Sequence, residues 1–337
     1  MMSMARRATT GTKMTLPTTG SGGAGDFTFK PIQPWDRSST PVVQSMQQMS
    51  MDPPSYANHR GSEPFGIETP VDEILGISTE DLYDDMKDRQ VEYVSPSSYS
   101  PNAPYLPYRR YLVDWMSDVG EQCCLHNSTV HVGILYLDKI FRSHNIPRGQ
   151  WQLLASCCIS VAAKYEEAEH DCPPIPDLLR MTKLNIAGHS ALSFREGELD
   201  VLRYLNWQLR AVPPIHVVGY FLSKGVTFRD DSWQGRALID KIPKYIKKYA
   251  DFFCNLTLQE YSFQRYLPSE LAAAIILASR VALQIEPRWR PELTRLTSYE
   301  EVELSDLFHH VWTYYEEQFP GHGSRSVSPR SVVNMYT

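Results

Sequence analysis

Two short stretches of this chain constrain its fold more than any other feature, because each is apolar on every side of a helix. They run from Leu153 to Ala163 (LLASCCISVAA) and from Leu271 to Ser279 (LAAAIILAS), and both consist mainly of small residues. A helix that is apolar all round is buried on all sides, so other helices must surround it. The two stretches therefore predict two all-α modules, residues 105–212 and 213–320, that repeat a structure without repeating a sequence.

Apolar residues at three- and four-residue spacing predict the surrounding helices. In the first module the five helices are predicted along Leu112–Val119, Val130–Phe141, Leu153–Ala163, Ile175–Met181 and Leu192–Leu209. The inward residues of the last helix are expected to be Leu199, Leu202, Leu205 and Leu209. In the second module they are predicted along Ile215–Lys224, Gly235–Leu256, Leu258–Tyr266, Ser269–Gln284 and Val302–Phe319. The pattern predicts no β-strand.

The two ends of the chain differ from this body. Residues 1–77 and 321–337 show no sustained apolar period, and we expect both to be disordered. Residues 78–104 are predicted to form a helix and a linker, with Ser78 as the helix N-cap. This helix is too short and too charged to be stable alone, so it should dock on the body or on a partner. Its partial apolar face consists of Leu82, Tyr83 and Met86.

Five Ser/Thr-Pro dipeptides lie in regions that we expect to be flexible. Each presents a hydroxyl that a proline-directed kinase accepts as a substrate. The residues are Thr40, Thr69, Ser95, Ser100 and Ser328.

Composition excludes several classes of protein. No apolar run reaches the roughly 20 residues that a membrane helix needs, and the N-terminus lacks the apolar block of a signal peptide. Residues 1–104 carry eight Lys/Arg and thirteen Asp/Glu, which leaves a nearly neutral body with 25 basic and 26 acidic residues. A neutral body argues against nucleic-acid binding. The six cysteines form no disulfide framework, so we expect free thiols and a nuclear or cytoplasmic location.

No catalytic or metal-binding constellation stands out. His126 and His131 lie near Cys123 and Cys124, but adjacent cysteines on a helix point about 100° apart and do not easily reach one ion. The chain has no Gly-rich phosphate loop and no placed Ser/His/Asp set. We therefore expect a protein that is not an enzyme and that needs no metal, cofactor or small-molecule ligand.

Several motifs of residues 78–320 resemble those of the cyclins. RRYLVDWM (109–116), AAKYEE (162–167) and WQLRAVPP (207–214) resemble, in turn, the first-helix motif of the cell-cycle cyclins, the end of their third helix and the close of their fifth. KKYADFFCNLTLQEYSF, RYLPSELAAA, ASRVALQIEPRWRPEL and RLTSY are similar to the J-type cyclins. The resemblance implies two tandem five-helix cyclin folds, preceded by a docking helix and a disordered N-terminal tail.

The resemblance also implies a kinase-binding surface. In the family, a lysine at the end of the third helix and a glutamate early in the fifth grip a cyclin-dependent kinase, and Lys164 and Glu198 occupy these positions. Judged alone, Lys164 is equally a lysine that neutralises a helix dipole, and Glu198 an exposed helix carboxylate. The rest of the kinase-facing rim is predicted to comprise Phe141, Ile159, Tyr165, Glu166 and Glu167.

Two further sets of residues follow from the same resemblance. Arg109 and Asp114 match structural residues of the first helix, and we expect Asp114 to form an internal pair or cap. A patch for docking substrates is predicted from Tyr108, Tyr111, Leu112, Trp115, Asp118 and Gln152. Tyr108 stands where the family usually has Met, and Arg110 where it usually has a small residue; the added bulk and charge argue against the ordinary Arg-x-Leu docking mode. Trp115 is equally explained as a core residue.

The sequence thus favours a regulatory subunit that binds and activates a cyclin-dependent Ser/Thr protein kinase and so controls cell-cycle progression. Protein substrates of that kinase are further expected partners, whereas nucleic acid and membranes are not. Two alternatives remain open: a scaffold with the same fold that does not activate a kinase, and a protein like transcription factor IIB. The second alternative would require basic faces and often a zinc ribbon.

Overall fold

The structure, a computed structural model, describes residues 64–66, 79–94 and 103–320. Within these residues, helices α2–α6 form one five-helix fold and helices α7–α11 form a second. The predicted all-α class with two tandem five-helix folds is therefore confirmed. The helices are α1 (Glu80–Arg89), α2 (Leu106–Gln122), α3 (Asn127–Ser143), α4 (Trp151–Glu166), α5 (Ile175–Met181), α6 (Ala191–Tyr204), α7 (Pro214–Lys224), α8 (Ile242–Gln259), α9 (Pro268–Ala282), α10 (Pro291–Thr297) and α11 (Glu301–Gln318).

Helices α4 and α9 are the centres of the two folds. Helix α4 is buried without interruption over residues 154–163, and α9 over residues 271–280. Helices α2, α3 and α6 pack around α4, while α7, α8 and α11 pack around α9. Small residues permit this close packing: a Cβ atom added at Gly133 of α3 would lie 3.4 Å from the Cα atom of Ile159 on α4.

The second fold also contains a small antiparallel sheet that the sequence did not predict. Its strands, in the order β2-β1-β3, are β1 (Ser232–Trp233), β2 (Arg236–Ala237) and β3 (Ile285–Glu286). Gln234 and Gly235 have φ angles of 52° and 73°, which give the two-residue turn that joins β1 to β2. The predicted helix start at Gly235 is therefore wrong, and α8 begins only at Ile242.

Other helices of the second fold also differ from those that the sequence predicted. The helix predicted along Leu258–Tyr266 is wrong, because α8 continues to Gln259 and only a 3₁₀ turn, Tyr261–Arg265, follows it. Helix α10 was not predicted at all.

In the first fold, one of the four leucines predicted to point inward is wrong: Leu199 is 43% exposed, whereas Leu205 is buried and Leu202 and Leu209 pack against the core. The buried residues of α6 itself are Phe194, Glu198 and Val201. Leucines lie on both sides of α6, so their spacing alone did not identify Leu199 as exposed.

Helix α1 docks on the second fold. The hydroxyl of Tyr83 donates to the carbonyl oxygen of Thr297 at 2.9 Å, and its ring stacks on Tyr220 at 5.0 Å. The N-cap is Thr79, whereas the predicted N-cap, Ser78, lies outside the described residues. Leu82, which was expected on the apolar face, is 42% exposed. Residues 64–66 were expected to be disordered but contact the second fold. The five Ser/Thr-Pro sites lie outside the described residues.

A buried ion pair joins the two folds. The guanidinium of Arg109 on α2 donates to both carboxylate oxygens of Asp138 on α3, each at 2.9 Å. It also donates to the carbonyl oxygens of Leu258 and Gln259 at the end of α8, at 2.9 and 3.2 Å. Both charged side chains are almost completely buried, so they depend on each other for compensation.

The sequence predicted that Asp114 forms an internal pair or cap. In the structure, the buried aspartate that pairs with Arg109 is Asp138 and not Asp114. The Asp114 carboxylate accepts a hydrogen bond from the Gln259 amide at 3.2 Å, and burial raises the pKa of this carboxyl. Asp114 therefore has a smaller structural role than the sequence predicted.

Candidate protein-binding site

The last turn of α4 reaches the surface of the first fold. Lys164 in this turn has a side chain that is 49% exposed, and its Nζ atom lies 2.5 Å from Oε1 of Glu198 on α6. The hydroxyl of Ser160, one turn earlier, donates to the same oxygen at 2.6 Å. Glu198 is itself buried, so its carboxylate is held in place at the edge of the protein. The structure thus brings together the two residues that the family resemblance pairs.

This arrangement leaves hydrogen-bonding capacity at the surface. An ammonium group has three donors, and the contact with Glu198 accounts for one of them. The remaining donors of Lys164 can reach carbonyl oxygens on a partner. Lys164 also lies in the last turn of α4, where a cation stabilises the helix dipole, so both interpretations of this residue are compatible with its position.

Glu167 lies next to this pair but is not part of the exposed rim. Its side chain is 2% exposed and accepts hydrogen bonds from the main-chain N–H of His126 at 2.8 Å and from the Thr129 hydroxyl at 2.6 Å. Burial raises the pKa of this carboxyl, but the hydrogen bonds from Thr129 and His126 outweigh burial and lower it. The carboxylate caps the N-terminus of α3, and the rim assignment of Glu167 is corrected accordingly.

The other predicted rim residues differ in their exposure. Tyr165 is 47% exposed, whereas Phe141 is buried and Ile159 is completely inaccessible. Glu166 lies 3.8 Å from His216 of α7. Burial lowers the pKa of His216, so its imidazole is uncharged at neutral pH and the contact is not an ion pair. Ile159 is therefore removed from the rim, and Tyr165 remains as its exposed aromatic residue.

The predicted substrate-docking patch is only partly at the surface. Leu112 is 1% exposed and belongs to the core. The amide of Gln152 donates to the carbonyl oxygen of Thr182 at 2.9 Å. The guanidinium of Arg148 covers the ring of Tyr108, 4.3 Å from its centre. The patch residues that retain surface on α2 are Tyr108, Tyr111, Trp115 and Asp118.

In the part of the chain that the structure describes, no three His, Cys, Asp or Glu side chains are grouped to hold a metal ion. Burial lowers the pKa of His131 to about 4, and its ring nitrogen contacts the Asn255 side chain at 2.9 Å. All six cysteines are free thiols. None of the described helices combines the length and the apolar character that crossing a membrane requires.

Sequence reasoning missed three residues of this region: Ser160, His126 and Thr129. Ser160 lies four residues before Lys164, so the two share one face of α4, and this spacing was an available signal. The contacts of His126 and Thr129 with Glu167 join residues 41 and 38 positions apart, and no local pattern records them.

Two family models match the helical body of the chain. The model described as the cyclin N-terminal domain matches residues 81–210. The model described as the cyclin C-terminal domain matches residues 236–329. The chain belongs to the cyclin family. The resemblance drawn from the sequence motifs is therefore confirmed, and the two matches follow the order of the two folds.

Individual cyclins show the same relationship. Cyclin-J from Xenopus laevis is 32% identical over 207 residues, which cover 60% of this chain and 53% of that protein. Cyclin-J from Homo sapiens is 31% identical over 207 residues, covering 60% and 52%. The Cyclin-J-like protein from Mus musculus is 29% identical over 235 residues, covering 68% and 60%. The predicted similarity to the J-type cyclins is confirmed, although the chain spans only a little more than half of these relatives.

A solved structure supports the fold. The X-ray structure of a viral cyclin from herpesvirus saimiri matches with a TM-score of 0.55 at 16% identity. The match covers 71% of this chain and 98% of the viral chain. At this identity, the likeness concerns the arrangement of helices alone.

Proposed function

We propose that the chain is the regulatory subunit of a cyclin-dependent Ser/Thr protein kinase, and that it activates the kinase by binding its αC helix and activation segment. The observation that carries this proposal is the arrangement of Lys164, Glu198 and Ser160 at the exposed end of α4. In this proposal the chain supplies no catalytic group, and the partner kinase transfers the phosphoryl group.

The surroundings of the pair support a protein partner. Tyr165 follows Lys164 and is 47% exposed, and Leu199 follows Glu198 and is 43% exposed. Exposed aromatic and aliphatic side chains therefore adjoin the polar pair in the sequence, and a mixture of exposed apolar groups with a buried polar anchor is typical of a protein interface. Because Glu198 is already buried within its own fold, less desolvation remains to be overcome when a partner binds.

The energy required for activation is within reach of such a surface. A kinase is active only when its β3 lysine pairs with the glutamate of its αC helix. Moving a population from 1:99 to 99:1 requires about 5.5 kcal/mol of differential binding to the active state. An interface of standard size supplies that difference when a few of its contacts are well packed and desolvated.

The test is to purify the full chain with each member of a panel of cyclin-dependent kinases and to measure phosphorylation of a histone-type substrate. Lys164→Ala and Glu198→Gln should each weaken kinase binding by at least about 30-fold, or about 2 kcal/mol. Glu198→Gln retains the shape and the acceptor for Ser160, so the fold should persist. The matched control removes a different ion pair, Arg288 with Glu301 in the second fold, whose atoms lie 2.8 Å apart.

The outcomes separate the alternatives. A stable and active complex that is lost in the Lys164 and Glu198 variants but kept in the control supports the proposal. A stable complex without kinase activity favours the scaffold instead. No complex with any kinase of the panel overturns the proposal and directs attention to nucleic acid and transcription proteins.

A further inference from the structure

A short extended segment, Pro64–Gly66, lies against the loop that follows α7 in the second fold. The main-chain N–H of Phe65 donates to the carbonyl oxygen of Thr227 at 2.7 Å. In return, the hydroxyl of Thr227 donates to the carbonyl oxygen of Phe65 at 3.0 Å. Pro64 forms an antiparallel bridge with Phe228. With the segment in place Thr227 is 2% exposed, and the segment supplies partners for both its hydroxyl and its carbonyl group.

Both the backbone conformation and the lack of space at position 66 require glycine. Its φ angle is +81°, a conformation that side chains with a Cβ atom rarely adopt. A Cβ atom at this position would also lie 2.2 Å from the Cγ atom of Pro243, in the first turn of α8. The contact surface therefore selects glycine at this position of the segment.

The receiving loop, residues 225–231, is held firmly by its own fold. Arg280 donates to the carbonyl oxygen of Val226 at 2.6 Å, and the N–H of Phe228 donates to the Asp231 carboxylate at 2.9 Å. The guanidinium of Arg290 lies over the Phe228 ring, 4.8 Å from its centre. Both neighbours of Thr227 are thus fixed by groups of the second fold and not by the segment. Beside Pro64, an open groove continues along Lys224, Phe228 and Leu296.

We propose that this surface is a recognition site for a short extended peptide, in which glycine follows the residue whose main chain pairs with Thr227. In this chain the site is filled in cis by Pro64-Phe65-Gly66. Pairing of main-chain groups with an extended peptide, together with a selective side-chain contact, is an established mode of peptide recognition. The contact is small, so its occupancy depends on the high effective concentration that the covalent connection provides. The site is independent of the kinase-binding proposal, because it lies on the other fold.

The test uses the full chain and a fluorescein-labelled peptide of residues 60–70 (RGSEPFGIETP), with binding measured by fluorescence anisotropy. Gly66→Ala in the full chain disrupts the cis segment without changing the body. The peptide should therefore bind this variant with a Kd at least about tenfold lower than that for wild type, in which the tethered segment competes. Adding Thr227→Val to Gly66→Ala removes the hydroxyl donor while keeping the side-chain shape, and should weaken peptide binding.

Two controls accompany this measurement. Gly235→Ala changes another glycine with a positive φ angle, but no atom lies within 4 Å of the added Cβ, so this chain should bind the peptide as wild type does. A peptide with Gly66→Ala should not bind any of the chains. Equal affinity of wild-type and Gly66→Ala chains, or equal affinity of the two peptides, would overturn the proposal. An absence of binding to the Gly66→Ala chain at peptide concentrations up to about 1 mM would also overturn it.

Discussion

The two folds place a cation near the C-terminal end of their central helix and use it in opposite ways. In the first fold, Lys164 of α4 is half exposed and binds the carboxylate of Glu198. In the second fold, Arg280 of α9 is completely buried and its guanidinium binds Asp231 at 2.8 Å. It also donates to three main-chain carbonyl oxygens, those of Val226, Pro287 and Arg288. The end of α4 is open to a partner, whereas the end of α9 is sealed.

The difference shows how one helix position serves recognition in one fold and structure in the other. An arginine has five donors in a rigid fork, and internal acceptors occupy four of those of Arg280. A lysine with a single carboxylate partner keeps donors for another molecule. The proposed kinase-binding function therefore belongs to the first fold. The second fold holds α1 and the segment at residues 64–66.

The largest effect is expected from Arg280→Ala. This change removes one of the two guanidinium groups that bind the buried Asp231 carboxylate, the other being that of Arg290, and it leaves three main-chain carbonyl oxygens without their donor. We expect a loss of about 3–5 kcal/mol in the free energy of unfolding, measured by urea denaturation. Arg203→Ala, which removes an exposed arginine paired with Asp200, is the control and should change stability by less than about 0.5 kcal/mol. Similar losses in the free energy of unfolding for both variants would show that the buried Arg280 contributes no more to stability than an exposed arginine.

A slightly smaller effect is expected from Asp138→Asn at the joint between the folds. The change leaves Arg109 with an uncompensated buried charge, but the amide keeps one acceptor oxygen. We expect a loss of about 3 kcal/mol, at the lower end of the range for broken buried pairs. The same substitution at Asp114 should cost less than about 1 kcal/mol, because only one hydrogen bond is affected. A larger loss at Asp114 would restore the role that the sequence assigned to it.

Lys164→Ala should have little effect on stability. The Lys164 side chain is 49% exposed, so water reaches the end of Glu198 that Lys164 vacates, and Ser160 keeps its hydrogen bond to that buried carboxylate; we expect a loss of about 1 kcal/mol. We expect the urea midpoint to stay close to that of wild type while kinase binding falls. A loss of stability comparable to that of Arg280→Ala would show that Lys164 is structural and would contradict its proposed role in recognition.

The smallest effect is a pH dependence at the contact between His126 and Glu167. The Glu167 carboxylate raises the pKa of His126 above its ordinary value of 6.5, so this contribution is complete below pH 6.5 and is lost as pH rises through the raised pKa. The pKa of Glu167 is lowered from 4.5, so its contribution is present above pH 4.5 and is lost as pH falls through the lowered pKa. The Asp171 carboxylate also raises the pKa of His126.

We therefore expect the difference in thermal midpoint between wild type and His126→Ala to be greatest between pH 4.5 and 6.5. Melting curves by circular dichroism at about pH 5.5 and about pH 8.5 measure it, with His309→Ala on the exposed face of α11 as the control. An equal difference at both pH values would mean that the imidazole charge contributes nothing to the contact.

Much of the fold could be predicted from the periodicity of apolar residues in the sequence. The bounds of α5 were predicted to the residue, and those of α7, α9 and α11 to within about two residues. Boundaries failed where local signals were weak, as at the turn of Gln234 and Gly235 and in the short helix α10. The candidate site was predicted only through the family resemblance, because neither Lys164 nor Glu198 has a distinctive local pattern.

Composition and periodicity are enough to predict the two helical modules and their central helices, because a stretch that is apolar on every side has no stable position except the centre of a bundle. Which charged residues are buried and which are open to a partner depends on how the helices pack. Arg280 and Asp231 are 49 positions apart, and Lys164 and Glu198 are 34 apart. A charge is tolerated inside a protein only when its partner is brought to it, and packing of distant segments determines that proximity.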